Sequence, residues 1–508
     1  MKQYGMFELA FQGAAPETDP AGAGITAEFV CGDTVKRVRG FYDGGGRFAV
    51  RFLPEKAGEW RWKVTGAAEA EGREMCESAR DVHGPVRAAG THFEYADGKL
   101  FIPFGTTVYA LASQDDALVE RTLETLENAP FNKVRMCVFP KDYDYNHNEP
   151  PYYPFEKDPD GKWNVNRPCF AFWRRFEGIL RRIAAMDIQV DLILFHPYDR
   201  WGFAALSREE NQTYLDYLLR RLSAFPNIWW SLANEYDLCM DRKTLADWEE
   251  IEEFVARNDP YRHLLSCHNC MCFWDFNRPN VTHASIQTKA LTEIPRWIET
   301  YKKPVVIDEC CYVGDLPHFW GSISGREMTR RFWRCFAGGG YCTHGETFLA
   351  DDEVLWWARG GTLKGESPRR IAFLRRVAES LPGPLTPVTR GLQALCRPEA
   401  DAGDAADVPA LFASSVRRMA PRDRVAHLTA DHAWEARCGE EAYLVYFDLQ
   451  CCGEWTLRLP EDKTYRVDMI DTWEMTRETL LENARGTVKL RLPGREGMAL
   501  LATGMEGE

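Results

Sequence analysis

The sequence predicts an α/β protein with a (β/α)8 TIM barrel flanked by two β-sandwich domains. The barrel is predicted by eight apolar, strand-like runs that alternate with amphipathic helical segments. These runs extend over roughly 300 residues, which is the usual size of such a barrel. The β-sandwiches are predicted by short runs of alternating apolar and polar residues at both ends of the chain. We therefore expect domains at residues 1–88, 89–385 and 386–508.

Each predicted domain has its own local pattern. In the N-terminal domain, alternating runs at 48–52 and 59–64 follow the turn residues 43–46. In the C-terminal domain, a Gly/Ala/Asp-rich stretch at 400–406 precedes the alternating run 443–447. The predicted barrel strands are 101–111, 133–139, 189–196, 228–234, 264–268, 284–288, 305–309 and 340–346, and the helical segments between them include 172–187, 212–225 and 325–336.

Composition and charge argue against several classes of protein. The 508 residues are 45% hydrophobic and 27% charged, which disfavours a disordered or fibrous chain. The formal net charge of -14 would repel phosphate backbones, so we expect no nucleic-acid partner. The chain does not begin with a signal-peptide pattern, and no apolar run is long enough to span a bilayer. We expect a cytoplasmic protein with no membrane partner and with mostly reduced cysteines, and self-association into a homo-oligomer stays open.

Carboxyl side chains end two of the predicted barrel strands. The active sites of (β/α)8 barrels lie at the carboxyl ends of the strands. The fourth run ends in Asn234-Glu235, and the seventh ends in Glu309, 74 residues after Glu235. This spacing fits three βα units of about 25 residues, so the two carboxyl groups can face each other across the barrel mouth. A charge directly after the apolar run 229–233 is costly to place, which argues against a purely structural pair.

Two opposed carboxyl groups are what a retaining glycoside hydrolase requires. One carboxylate attacks the anomeric carbon while the other group, about 5 to 5.5 Å away, protonates the leaving oxygen. We expect Glu309 to be the nucleophile and Glu235 to be the general acid/base, so that Glu309 is ionised and Glu235 protonated at the working pH. For either glutamate alone, the alternative is a salt bridge or a helix-cap contact.

With these motifs the chain resembles clan A of the glycoside hydrolases, in which the acid/base Glu follows an Asn at the end of strand four and the nucleophile ends strand seven. Within the clan it is most similar to the apiosidase-like group, which has an N-terminal β-sandwich and a C-terminal β-domain. That similarity depends on the domain order and on the segments 103–107, 131–135 and 345–347. The apiosidases have an Asp where this sequence has Glu235, so the resemblance does not specify the sugar.

The resemblance implies roles for several further residues. Asn234 would hydrogen-bond the 2-hydroxyl of the sugar. Arg135 would hold the nucleophile ionised, with a buried structural ion pair as the alternative. His196 and His268 occupy positions at which the clan binds sugars or carboxylates, and a buried structural histidine is the alternative for each.

Other candidates come from strand six and from the segments after strands seven and eight. Gln287 stands where the clan often has a tyrosine that positions the nucleophile, so Tyr312 is the candidate for that role. The remaining candidates for the sugar site are His344, Glu346 and either Trp356 or Trp357 as a platform under the sugar ring, and a role in the core is the alternative for either tryptophan.

The loop after strand two, residues 141–155, is long, polar and aromatic, and we expect it to wall the pocket. Such a wall favours exo action on β-linked or equivalent 1,2-trans glycosides of plant or microbial glycans. An endo-acting β-glucanase or mannanase and a non-catalytic carbohydrate-binding barrel stay open as alternatives. The thiols at 267–272 lack a second ligand pair with zinc-like spacing, and strand one offers no His/Asp cluster for a metal-dependent hydrolase. We expect an oligosaccharide or glycoside substrate, no metal and no cofactor.

Overall fold

The computed structural model describes residues 1–80, 82–389, 408–420, 423 and 433–505. Its first strands are β1 (Phe7–Gln12), β2 (Ile25–Cys31), β3 (Thr34–Arg39), β4 (Phe41–Tyr42), β5 (Arg47–Phe52), β6 (Gly58–Gly66) and β7 (Ala70–Cys76). They form two antiparallel sheets with the orders β1-β5-β4 and β3-β2-β6-β7. Alternate apolar side chains of both sheets meet in one core, where the rings of Phe29 and Phe52 stack 3.9 Å apart.

A small antiparallel sheet covers the lower end of the barrel. Its strands are β8 (Val86–Ala89), β9 (His92–Tyr95) and β10 (Leu100–Phe101). The Phe93 ring lies 5.0 Å from that of Trp229 and 5.4 Å from that of Tyr341. Because Trp229 and Tyr341 lie near the starts of barrel strands, this sheet leaves the opposite end, at the strand carboxyl ends, open for a site.

Parallel strands form the barrel and confirm the predicted fold class, with β-sheet regions at both ends of the chain. From β11 to β22 the strands are β11 (Phe104–Thr107), β12 (Lys133–Cys137), β13 (Phe155–Lys157), β14 (Trp163–Pro168), β15 (Gln189–Phe195), β16 (Ile228–Ala233), β17 (Leu265–Ser266), β18 (Ala284–Gln287), β19 (Val305–Glu309), β20 (Val313–Gly314), β21 (Tyr341–His344) and β22 (Glu346–Thr347). Eight of them form one sheet in the order β17-β16-β15-β12-β11-β21-β19-β18. A bridge between His268 and Ser285 joins its two edges, so the barrel is nearly closed.

Helices surround the barrel. They are α1 (Asp116–Asn128), α2 (Phe170–Ala185), α3 (Arg208–Leu222), α4 (Leu245–Asn258), α5 (Ile294–Tyr301), α6 (Gly325–Ala337), α7 (Trp356–Arg359) and α8 (Ser367–Glu379). Sequence signals define several of their starts. Ser207 and Glu210 form a capping box on α3, and Thr244 and Asp247 form another on α4. None of the described helices is both long and apolar enough to span a lipid bilayer.

The C-terminal part is again antiparallel. It contains β23 (Thr386–Val388), α9 (Ala410–Arg418), β24 (Trp434–Cys438), β25 (Ala442–Tyr446), β26 (Glu454–Arg458), β27 (Tyr465–Asp471), β28 (Thr476–Ala484), β29 (Thr487–Arg491) and β30 (Met498–Gly504). One sheet has the order β23-β24-β25-β30-β27-β28, and β26 pairs with β29. This part packs on α6, where the rings of Trp333 and Tyr446 lie 5.6 Å apart. The stretch 400–406 lies outside the described residues, and the division of the chain at residues 88 and 385 stays a prediction.

A buried ion cluster joins the N-terminal sheets to the barrel helices. Arg51 of β5 donates to Glu177 of α2 at 2.7 Å, and Arg221 of α3 donates to the same carboxylate at 2.5 Å and to Asp43 at 2.8 Å. Burial alone would raise the pKa of Glu177, but the guanidinium groups of Arg221 and Arg51 lower it to about 2. The carboxylate therefore keeps its charge, and each arginine depends on it for a buried partner.

We expect Glu177→Ala to lower the free energy of unfolding by about 3 to 5 kcal/mol, because two buried guanidinium groups lose their shared carboxylate. Equilibrium unfolding in urea measures the change. Glu120→Ala is the matched control, since Glu120 pairs with Arg182 at the exposed surface, and it should cause no measurable loss. A Glu177→Ala protein as stable as this control would contradict the proposed contribution of the cluster.

Candidate active site

A cavity of about 430 Å³ lies at the carboxyl ends of the barrel strands. Its volume is within the range of small-molecule binding sites. All of the described lining residues lie between positions 109 and 357, so the barrel and its loops build the cavity without the terminal sheets. Asn234, Glu235 and Glu309 are among them.

Strand β16 carries Glu235 to the cavity. All six residues of β16 are buried, and Asn234 and Glu235 follow directly. Glu235 has a left-handed backbone with a φ of 54°, a strained conformation for a residue with a long side chain. The turn is held by the backbone N–H of Tyr236, which donates to the carbonyl of His268 at 3.0 Å. This turn directs the Glu235 carboxyl into the cavity, and Glu235 as a whole is only 6% exposed.

Glu309 is the last residue of β19 and is 8% exposed. The Tyr109 hydroxyl donates a hydrogen bond to one oxygen of its carboxylate, and Nη1 of Arg135 lies 3.7 Å from the same oxygen. Both contacts favour an ionised carboxylate and fix its orientation.

Tyr312 reaches the same place through a sharp turn of the chain. Cys311 has a left-handed backbone with a φ of 69°, and the Tyr312 hydroxyl then lies 3.3 Å from that of Tyr109. The ring fits because residue 345 is a glycine. A Cβ atom at Gly345 would overlap the Tyr312 ring.

Two side chains connect the carboxyl groups. The amide Nδ2 of Asn234 donates to Oε2 of Glu235 at 3.2 Å, and its Oδ1 lies 3.1 Å from the Tyr109 hydroxyl and accepts from Arg135 at 3.3 Å. The single hydroxyl proton of Tyr109 points to Glu309, its shorter contact. The Tyr198 hydroxyl donates to Glu235. Tyr198 therefore holds Glu235 and Tyr109 holds Glu309, and the Tyr312 hydroxyl also interacts with the Glu309 carboxylate.

A buried ion network fills the barrel interior beneath the cavity. Lys133 Nζ lies 2.6 Å from Asp308 and 2.8 Å from Asp191, and Arg135 Nε lies 3.2 Å from Asp191. The Thr343 hydroxyl also donates to Asp308, at 2.8 Å. Burial alone would raise the pKa of Asp308, but Lys133 and Arg135 lower it far below its usual value. The network therefore stays charged and holds Arg135 in place.

Burial and neighbouring charges alter the ionisation of the groups at the site. Burial and the negative charge of Glu235 raise the pKa of Glu309 to about 7, although Arg135 opposes the rise. Burial lowers the pKa of His268 well below its usual value, so a neutral imidazole lies 3.8 Å from Glu309.

The structure brings five of the other predicted residues to the carboxyl pair. Asn234, Gln287 and Tyr312 line the cavity. Arg135 and His268 lie beneath it, in contact with the nucleophile candidate.

His344 and Glu346 lie outside the cavity, which corrects the prediction. Alternate side chains of a strand point to opposite faces, and in β21 Thr343 points into the barrel. His344 therefore points outward, and its Nε2 lies 3.4 Å from the Ser367 hydroxyl at the start of α8. Glu346 accepts a hydrogen bond from the backbone N–H of Lys364.

His196 and Trp356 lie behind the cavity wall, in agreement with the buried structural alternative for each and not with a role in binding the sugar. The His196 ring lies 3.3 Å from the carbonyl of Phe139, and burial lowers its pKa to about 3. The Trp356 indole N–H donates to Thr106 at 2.8 Å. Trp357 lines the cavity instead, because neighbouring residues of a helix point about 100° apart.

Sequence reasoning missed other residues of the cavity. Tyr109 follows β11 and Tyr198 follows β15, so the rule that identified Glu235, a polar group just after a barrel strand, could have found both. Lys141 and Tyr143 belong to the loop predicted to wall the pocket, but neither was predicted as a site residue.

The thiol-rich segment after β17 is organised around a carboxylate. Asp237 accepts hydrogen bonds from the backbone N–H groups of Cys270, Met271 and Cys272 at 2.6 to 2.8 Å. This arrangement places Cys270 and Met271 in the cavity lining.

Three family models match successive parts of the chain. The model described as the apiosidase-like catalytic domain matches residues 87–367. Residues 1–67 match a domain of unknown function (DUF5060), and residues 430–503 match another (DUF5605). No curated protein matches the chain in sequence.

Solved structures extend the comparison to the whole chain. A candidate glycoside hydrolase from Bacteroides vulgatus ATCC 8482 is 34% identical, with a TM-score of 0.86, and the match covers 99% of each chain. A glycoside hydrolase family 5 protein from the same strain is 15% identical, with a TM-score of 0.59 and coverage of 83% of this chain and 93% of that one, and it shows the shared fold alone. The chain therefore belongs to the apiosidase-like family of clan A glycoside hydrolases.

Proposed function

We propose that the protein is a retaining, exo-acting glycosidase that cleaves β-linked or equivalent 1,2-trans glycosides of plant or microbial glycans by double displacement. The observation that carries the proposal is the carboxyl pair. Glu235 and Glu309 line one cavity, and each is hydrogen-bonded by a tyrosine hydroxyl. Such a pair can supply both attack and proton transfer at one glycosidic bond. A non-catalytic sugar-binding barrel does not need two opposed acids, which disfavours that alternative.

The surroundings of the two carboxyl groups support different roles. Glu309 has a guanidinium nitrogen of Arg135 3.7 Å away and accepts the Tyr109 hydroxyl, and both contacts stabilise its anion. Among the described residues, no basic side chain forms an ion pair with Glu235. These surroundings support Glu309 as the nucleophile and Glu235 as the general acid/base.

The proposed reaction has two displacements. In the first, Glu309 forms a bond to the anomeric carbon as the bond to the leaving oxygen breaks, and Glu235 gives its proton to that oxygen. In the second, water attacks the anomeric carbon, Glu235 takes a proton from the water, and Glu309 leaves as a carboxylate. Asn234 lies between the two groups and is proposed to bind the sugar 2-hydroxyl.

Substitution of the two glutamates should give different results. Glu309→Gln is expected to lower kcat by about 10³-fold or more, because no nucleophile remains. Glu235→Ala should still hydrolyse nitrophenyl glycosides, whose leaving groups need little protonation, and azide should restore part of its rate. Glu120→Gln, at the exposed surface, is the matched control and should behave as the unsubstituted enzyme.

Near-normal hydrolysis of natural substrate by both active-site variants would contradict the assignment of the pair. The stereochemistry is tested separately by NMR of the anomer formed first. Initial inversion would exclude the double displacement.

The profile of kcat/KM against pH should be bell-shaped, with its alkaline limb near pH 7. Two close carboxyl groups titrate as a pair. Burial and the charge of Glu235 raise the pKa of Glu309 to about 7, so the pair keeps one proton below that pH and loses it above. Since the active form holds one proton, activity should fall as the pH rises through this value. Activity that stays constant from about pH 5 to about pH 9 would contradict this.

The aromatic wall of the cavity supports exo action. The Trp357 ring lies 5.3 Å from that of Trp320 and 5.9 Å from that of Tyr143, which the loop after β12 contributes. These packed rings bound one side of the cavity and favour the end of a glycan over an uninterrupted chain. Trp357 is also the proposed platform for the sugar ring.

A substrate panel tests both the sugar and the mode of action. Nitrophenyl pentosides and hexosides, including apioside, xyloside, galactofuranoside and arabinofuranoside, should identify one preferred glycone. An oligosaccharide that ends in this sugar should then release the monosaccharide as its first product. A ladder of oligosaccharides from glucan or mannan would instead establish the endo-acting alternative.

A further inference from the structure

An ammonium group lies between the two tyrosines that hold the carboxyl pair. Lys141 follows β12 and is 5% exposed. Its Nζ lies 3.7 Å from the ring centroid of Tyr109 and 4.2 Å from that of Tyr198. The Tyr109 hydroxyl donates to Glu309, and the Tyr198 hydroxyl donates to Glu235. A single cation therefore contacts both rings whose hydroxyls hold the carboxyl groups.

Lys141 is costly to bury in this place. The ring centroids of Tyr143 and Trp357 also lie near Nζ, at 5.6 and 5.2 Å. Among the described residues, no group forms an ion pair or a hydrogen bond with Nζ, so its contacts are with the faces of aromatic rings. Aromatic faces attract an ammonium but offset only part of its lost hydration. Burial accordingly lowers the pKa of Lys141. Stability of the fold therefore does not explain a lysine at this position.

We propose that Lys141 is a positioning residue for both carboxyl groups, with its ammonium fixing the rings of Tyr109 and Tyr198 and favouring the ionised form of the pair. The inference rests on the proposed function of Glu235 and Glu309. It adds a third component to their arrangement, because the two tyrosines come from different strands and share this one cation.

The charges around Lys141 determine how it acts on the pair. Besides the two carboxyl groups, the described groups that interact electrostatically with it include Arg135, Cys137, His196 and His268, and burial lowers the pKa of His268 so that its imidazole is neutral. Burial raises the pKa of the Cys137 thiol to about 12 and lowers that of His196 to about 3, so both are neutral near pH 7. Arg135 lies beneath the pair, in the ion network with Asp191. Lys141 therefore supplies a positive charge in the cavity lining beside the two tyrosines. Lys289 also lines the cavity, where its Nζ lies 3.9 Å over the Phe319 ring.

Three variants test the proposal. Lys141→Met fills the same space without charge and is expected to lower kcat/KM by about tenfold or more. In the profile of kcat/KM against pH, the alkaline limb of Lys141→Met should lie about 0.5 to 1 pH unit higher. A carboxyl pair without a nearby cation loses its last proton less readily. Lys141→Arg keeps the charge and should keep the limb near its original pH. Lys157→Met is the control, since Lys157 lies 4.4 Å over the Trp163 ring outside the cavity, and it should leave the profile unchanged.

Thermal unfolding adds a measurement that needs no substrate. Lys141→Met should be at least as stable as the original protein at pH 7, because it removes an unpaired buried charge. A lower Tm, or failure to fold, would show that Lys141 supports the fold and would overturn the proposal. A Lys141→Met enzyme with an unchanged pH limb would also overturn it, whatever its rate. If the original protein hydrolyses no glycoside, the proposed function fails, and the Tm comparison still decides between a structural and a positioning lysine.

Discussion

The pairing of Lys133 and Arg135 with Asp191 and Asp308 inside the barrel is the interaction on which the rest of the site depends. Barrel interiors are usually filled by branched apolar side chains, but here four buried charges occupy part of that space. Parallel pairing sets Arg135 directly opposite Asp191, so the register of β12 and β15 fixes the guanidinium. Its other nitrogens can then contact Asn234 and Glu309 at the strand ends.

Charge alternates in layers from the barrel interior to the cavity. The buried aspartates hold the Lys133 and Arg135 layer, which lies beneath the carboxyl pair, and Lys141 lies in the cavity lining, over the Tyr109 ring. Each layer compensates the one below it, so a change in one should alter the ionisation of the next. The tyrosines act between these layers, because Tyr109 contacts a carboxylate with its hydroxyl and an ammonium with its ring.

The barrel and the carboxyl pair could be predicted because both depend on strand periodicity alone. A buried run followed by Asn234-Glu235, and another that ends in Glu309, must place these groups at the same end of a parallel barrel. His344 could not be placed in this way, since a shift of one residue along β21 moves a side chain to the other face. Lys141 was missed for a different reason. Its contacts join separate loops, and no local pattern records which loops meet.

The left-handed backbone at Glu235 bears on how members of this family can differ. Asp and Asn tolerate a positive φ better than Glu does, because their short polar side chains can hydrogen-bond to the local backbone. A relative with Asp at this position would thus adopt the turn with less strain but with a carboxyl one methylene shorter. At this position, a short side chain lowers the strain of the turn, whereas a long side chain carries the carboxyl further into the cavity. With Glu235 as the proposed acid/base, the longer side chain reaches a more distant leaving oxygen, and the more strained turn is the physical cost of that reach.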